Sequence, residues 1–174
     1  CDCGQGGTLA AKDCGEWIMG SAFSMSYSMG STLELYSGTI RADIEMPECP
    51  TIDIRPMDGY NAYVSIYGGE VRNSNGPAII MGQSGYLTMG GSPIVKGTMG
   101  DIVFEGADNI ISIPANMPLV HPEGGKYTVR IAPQIESEHS LQITSGWEAS
   151  NTTAIPFSNN QGYVVVEMAA SSGK

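Results

Sequence analysis

Apolar and polar positions alternate in short bursts along most of this chain, and Gly, Ser or Asn closes each burst. The spacing is that of strands, whose side chains point to opposite faces in turn, and no stretch carries the periodicity of a long helix. Three bursts superpose without gaps: Leu33-Glu34-Leu35-Tyr36-Ser37-Gly38-Thr39-Ile40, Val64-Ser65-Ile66-Tyr67-Gly68-Gly69-Glu70-Val71 and Leu87-Thr88-Met89-Gly90-Gly91-Ser92-Pro93-Ile94. Each runs apolar, polar, apolar, small turn, apolar. A second pattern shares the period. Gly76-Pro77-Ala78-Ile79-Ile80-Met81 returns 23 residues later as Met99-Gly100-Asp101-Ile102-Val103-Phe104, the same step that separates Val64 from Leu87. Ile111-Ser112-Ile113 follows Leu87 by 24 residues, and the step of 31 from Leu33 to Val64 predicts an inserted loop.

A period in the low twenties is what three short strands and three turns need to form one rung of a parallel β-solenoid. Stacked rungs require aliphatic residues of similar size at each inward position, and sharp turns between them at Ser37-Gly38, Gly68-Gly69 and Gly90-Gly91. Trp17 to Tyr27 supplies a first rung or a cap, and Thr51 to Ile54, Tyr127 to Ile131 and Leu141 to Ile143 alternate as further strands. The expected fold is all-β: a single-stranded right-handed parallel β-helix of about five to six rungs with capped ends, a β-sandwich being the alternative. Residues 1–16 then form a Cys-rich segment or cap, 17–146 the solenoid, and 147–174 a capping strand and tail.

Composition narrows the class. The chain is 41% hydrophobic and 15% charged with 23 glycines, so Ser, Thr, Asn and Gly cover the surface where a helical protein would use Glu, Lys and Arg. A net charge of -10 with eight Lys and Arg opposes nucleic acid and anionic membranes as partners. Apolar runs such as Ala78 to Met81 and Tyr163 to Val166 fall far short of the ~20 residues of a membrane span. Cys1, Cys3, Cys14 and Cys49 are candidates for two disulfides in an exported chain. A zinc site is the competing reading, but the spacing C-x-C-x10-C lacks paired C-x2-C hooks. Cys1 is also the candidate for a lipid anchor at an extracellular or cell-surface location.

The stretch Ile66 to Ile79, followed by Leu87 to Gly97 and Asp101 to Phe104, runs in a rhythm of a Gly-Gly-x-aliphatic turn, an Asn or Gly corner and a short aliphatic strand. That rhythm resembles the pectin-lyase-like parallel β-helix repeats of large secreted bacterial surface proteins, and Phe157 to Tyr163 is similar to segments that follow such repeats. The resemblance implies a surface-exposed, adhesin-like repeat module. It carries over no catalytic residue, because no catalytic motif is matched.

An enzyme of this shape would need a carboxylate cluster for calcium and a base. Asp43, Glu45, Asp53 and Asp58, with Arg41 and Arg55, form the best group, yet strand alternation with Ile44, Ile52 and Ile54 already explains them as solvated outward positions. Asp101, Glu105 and Asp108 lack the regular ligand spacing of a calcium loop, and His121 and His139 lack a nucleophile. Gly82-Gln83-Ser84-Gly85 lacks the lysine of a phosphate loop and reads as a turn, and Asn151-Thr152-Thr153 is a short glycosylation match. Tyr36 and Tyr67 occupy equivalent repeat positions, as a ladder pair between rungs or an aromatic step for a sugar ring. The expected function is a non-catalytic, cofactor-free, monomeric display module that contacts a host or environmental glycan or a surface protein. The alternatives are a polysaccharide lyase-like enzyme fragment and a self-assembling extracellular filament subunit.

Overall fold

The computed structural model describes residues 8–11, 16–19, 23–24, 32–42, 49–106, 108–120, 129–133, 144–145 and 157–159. Strands β1 (Thr8–Ala11), β2 (Glu16–Met19) and β3 (Phe23–Ser24) come first. They are followed by β4 (Thr32–Leu35), β5 (Thr39–Ala42) and β6 (Ile52–Ile54), then β7 (Ala62–Ile66), β8 (Glu70–Asn73) and β9 (Ile79–Met81). Next come β10 (Gly85–Met89), β11 (Ile94–Gly97) and β12 (Ile102–Phe104). Beyond these lie β13 (Ile111–Ser112), β14 (Val129–Pro133), β15 (Thr144–Ser145) and β16 (Phe157–Asn159). Among the described residues there is no helix.

Among the described residues all pairing between strands is parallel, and each of β1 to β10 pairs with the strand three places further on. Sheet A has the order β1-β4-β7-β10-β13-β15, sheet B β11-β8-β5-β2, and sheet C β16-β14-β12-β9-β6-β3. Up to β12 the chain thus visits A, B and C in rotation, and each circuit is a tier. After β11 the place in sheet B is marked by a single parallel bridge, Gly91 to Leu119.

The register follows the expected ladders. Leu33 pairs with Val64, Val64 with Leu87 and Leu87 with Ile111. Ile52, Ile79, Ile102 and Ile131 stack in sheet C, with Ile54, Met81 and Phe104 beside them. These side chains are buried and belong to one cluster between the three sheets. The long step from Leu33 to Val64 is divided between two connections: residues 43–51 join β5 to β6 where 74–78 do so a tier later, and 55–61 join β6 to β7 where 82–84 suffice.

Two expectations are corrected. The third burst is not gapless, because Ile94 pairs with Glu70 and Val95 with Val71. The turn at Gly90 to Pro93 is one residue longer than its equivalents, and it is Val95, not Ile94, that enters the core. Asp53 is not a solvated outward residue. Strands β6, β9 and β12 of sheet C are buried on both faces, so Asp53, at 9% exposure, lies beside outward-facing yet buried Ile80 and Val103. Leu141 to Ile143 and Gly162 to Met168 fall outside the described residues.

Candidate functional site

The turns between sheets A and B place Tyr36 and Tyr67 over one another. Gly38 and Gly69 adopt positive φ angles of 84° and 70°, which lets each turn reverse within a few residues. Gly68 packs so closely that an added Cβ would lie 2.3 Å from the Tyr36 carbonyl oxygen. Nested this tightly, with Tyr67 N–H donating to the Leu35 carbonyl at 2.8 Å, the turns bring the two rings to 5.2 Å between centroids, tilted by 35°. Partial desolvation, then the Glu34 carboxylate and Tyr67, raises the Tyr36 phenol above its ordinary value. One tier on, Gly90 occupies the equivalent place and the stack ends.

A second pair went unnoticed in the sequence. Tyr63 and Tyr86 are in register at the start of β7 and β10, their rings 5.0 Å apart at 15° and exposed to 39% and 49%. The signal was present, since each immediately precedes a ladder residue, Val64 or Leu87. Tyr63, Ser65 and Tyr67 follow one another on the outer side of the same strand and turn. The two pairs therefore flank a polar column of Glu34, Ser65 and Thr88, about 13 Å apart by four strand residues.

At the corner between sheets C and A lies a cavity of about 330 Å³ lined by Arg55, Pro56, Met57, Asp58, Gly59, Gly82, Gln83, Ser84 and Glu105. Arg55 covers Gly82, reaches Asp53 through Nε and Nη2 at 2.7 and 2.6 Å, and meets Glu105 at 3.0 Å. Asp53's hydrogen bonds hold the guanidinium above its ordinary pKa despite partial burial. Ser84 has a positive φ of 63° in the turn closed by Gly85 N–H to the Gly82 carbonyl, as the turn reading of that segment expects.

The acidic group considered for catalysis is not assembled among the described residues: Asp53 is engaged by Arg55, Asp58 is exposed on the cavity rim, and Asp43 and Glu45 lie outside the description. Asp101, Glu105 and Asp108 diverge. Asp101 is buried and accepts from Gly97 N–H and Arg130 N–H, Glu105 meets Arg55, and Asp108 is exposed. Among the described residues no three His, Cys, Asp or Glu side chains converge as a metal site requires. Cys49 is half-buried with a free thiol, whereas Cys1, Cys3, Cys14, His121 and His139 lie outside the described residues. No described helix is long and apolar enough to cross a membrane.

Fold and surface together define an all-β protein of three parallel sheets with paired tyrosines on its outer side. Comparison with family models, curated proteins and solved structures finds no match.

Proposed function

We propose that this chain is a right-handed parallel β-helix module of an extracellular bacterial surface protein, non-catalytic and monomeric, which displays an outer face for contact with glycans. The observation that carries the reading is the recurrence of tyrosine pairs on the outer side, half-buried Tyr67 with exposed Tyr36 and exposed Tyr63 with exposed Tyr86, above ladders that hold them at strand spacing. Such a ladder is stiff because every inward side chain is confined by the tiers on either side. Aromatic faces held rigidly on a sheet lose little entropy when a sugar ring stacks on them, and the intervening Ser65, Thr88 and Glu34 offer hydrogen bonds to hydroxyl groups. The resemblance to pectin-lyase-like surface repeats supports the same reading. Binding of the full chain to immobilised neutral and acidic oligosaccharides tests it. The Tyr36→Ala/Tyr67→Ala double variant should lose about tenfold in affinity, equivalent to ~1.4 kcal/mol. Absence of binding across the panel at millimolar concentration, or a double variant that binds as tightly as the parent, rejects the proposal.

A further inference from the structure

The connection from β6 to β7 spans residues 55–61 where 82–84 serve one tier later, and the added chain walls the cavity at the corner between sheets C and A. Insertions in a solenoid map to loops on one face, often the one that binds. At about 330 Å³ the cavity falls in the size range of small-molecule pockets, ~300–1,000 Å³. Exposed large side chains gather around it: Met57 in its lining, Tyr60 in the same connection, and Tyr63 and Tyr86 at the starts of β7 and β10. Ala62 N–H donates to the carbonyl of cavity-lining Ser84 at 3.3 Å, and Tyr86 follows Ser84 by two residues. The Tyr63–Tyr86 stack therefore begins about 7 Å of strand from the cavity.

The lining mixes donors with acceptors. Of the five N–H donors of Arg55, Asp53 takes two and Glu105 takes one, so one on Nη1 and one on Nη2 remain. Two carboxylates fix the plane of the guanidinium in advance, and such donors lose little freedom when a ligand arrives. Asp58, Gln83 and the second oxygen of Glu105 add acceptors, and Ser84 holds a positive φ of 63° that sets a hydroxyl in the lining where glycine is the easier residue. A sugar hydroxyl both donates and accepts, so it meets partners of either kind here. The charge is one-sided. Arg55 stands against Asp53, Asp58 and Glu105, and Asp108 is exposed in the next tier's turn at the same corner. The ion pairs of Arg55 are with Asp53 and Glu105, so among the described residues the corner stays negative and repels a carboxylate or sulfate at contact distance.

Resting on the glycan-contact reading above, we infer that the corner cavity holds one sugar ring of an uncharged linear glycan, whose following rings stack on Tyr63 and Tyr86 and run along sheet A toward Tyr67. The direction follows from the strand, since Tyr63, Ser65 and Tyr67 lie in that order from the cavity on the outer side of β7 and its turn.

Neutral oligosaccharides of the panel, each beside its carboxymethylated form, separate charge from sugar. The full chain should bind neutral forms and refuse their charged counterparts. Ser84→Gly deletes a lining hydroxyl while suiting the positive φ, so its melting temperature should hold while neutral binding weakens about threefold to tenfold. Tyr86→Ala should weaken it by a similar factor through loss of stacking. Asp58→Asn should admit carboxymethylated forms that the parent refuses, a gain that no loss of fold can produce. Charged forms bound as tightly as neutral ones overturn the uncharged assignment. Neutral binding that drops in the Tyr36→Ala/Tyr67→Ala variant but is unmoved by Ser84→Gly and Tyr86→Ala puts the glycan away from the cavity, which overturns the inference and leaves the glycan-contact reading standing. No neutral member bound anywhere on the panel removes the inference, and no member bound at all removes the glycan-contact reading with it.

Discussion

Single buried polar side chains hold the corners of this molecule, where strand ladders leave backbone groups without partners. Asn73 is the fullest case. Its Nδ2 donates to the Cys49 and Pro77 carbonyls at 2.8 and 2.9 Å, while its Oδ1 accepts from Asn75 and Gly76 N–H at 3.0 and 2.7 Å. Asn109 does the same on a smaller scale, accepting from Gly106 N–H and donating to the Gly82 carbonyl. Asp101 is fully buried and accepts from two backbone amides, Gly97 at 2.9 Å and Arg130 at 2.8 Å, beside the Arg130 guanidinium at 3.1 Å. Removing a carboxylate that satisfies buried donors costs far more than an average hydrogen bond contributes, because each donor is left dry. Asp101→Ala should therefore lower unfolding free energy by about 2–4 kcal/mol in guanidinium titrations, and Asp101→Asn, which keeps one acceptor oxygen, by roughly half as much. Tyr36 gives a prediction in pH. Its phenol is raised by the folded state, so the fold favours the protonated ring; that contribution is whole below pH 10.0 and is lost as pH climbs through the folded-state value. Denaturation midpoints measured on either side of pH 10.0 should fall more for the parent than for Tyr36→Phe, and an identical alkaline loss in the two would contradict the raised phenol.

At the level of strands and turns, glycine decides whether tiers can nest. Gly69 combines a φ of 70° with a Cβ position 2.5 Å from the Gly38 carbonyl oxygen, so a side chain there meets both backbone strain and a neighbouring turn that cannot yield. Gly59 has a φ of 85° but nothing within 4 Å of its Cβ position. Gly59→Ala should cost about 1 kcal/mol from conformation alone, and Gly69→Ala at least ~3 kcal/mol, measured as paired denaturant midpoints. This separation also explains what could be read without coordinates. Ladders such as Leu33, Val64, Leu87 and Ile111 were legible because an enclosed tier tolerates only aliphatic residues at fixed intervals. The extra residue in the third turn was not, since Ile94 and Val95 are equally apolar and either could have matched Val71. Lys96 held the missing clue, because only the longer turn keeps its charge on the outward face while Val95 fills the inward place. Asp53 misled for a different reason: alternation shows which way a side chain points but not whether that face is covered, and strands β6, β9 and β12 are buried on both sides. The Tyr63–Tyr86 stack needed nothing beyond the register that had already been found.

Over the whole molecule, stability should resemble a row of coupled tiers more than one central core. Each inward residue touches its own tier and the tiers next to it, so energetic coupling between two core positions should depend on how many strand steps separate them. Val64 and Leu87 are direct register partners in sheet A, while Leu33 and Ile111 stand three steps, about 14 Å, apart along the same ladder. All four are buried to within 1%. Truncation to alanine removes buried methyl groups and opens a cavity, at about 2–5 kcal/mol for a Leu or Ile site. In a double-mutant cycle the Val64→Ala and Leu87→Ala cavities merge, and their interaction energy should reach about 0.5 kcal/mol or more. The Leu33→Ala and Ile111→Ala pair shares no neighbour and should add within about 0.3–0.5 kcal/mol. Equal coupling in both cycles would mean that the core relaxes as a unit, and the nearest-neighbour description would fail even though the register stands.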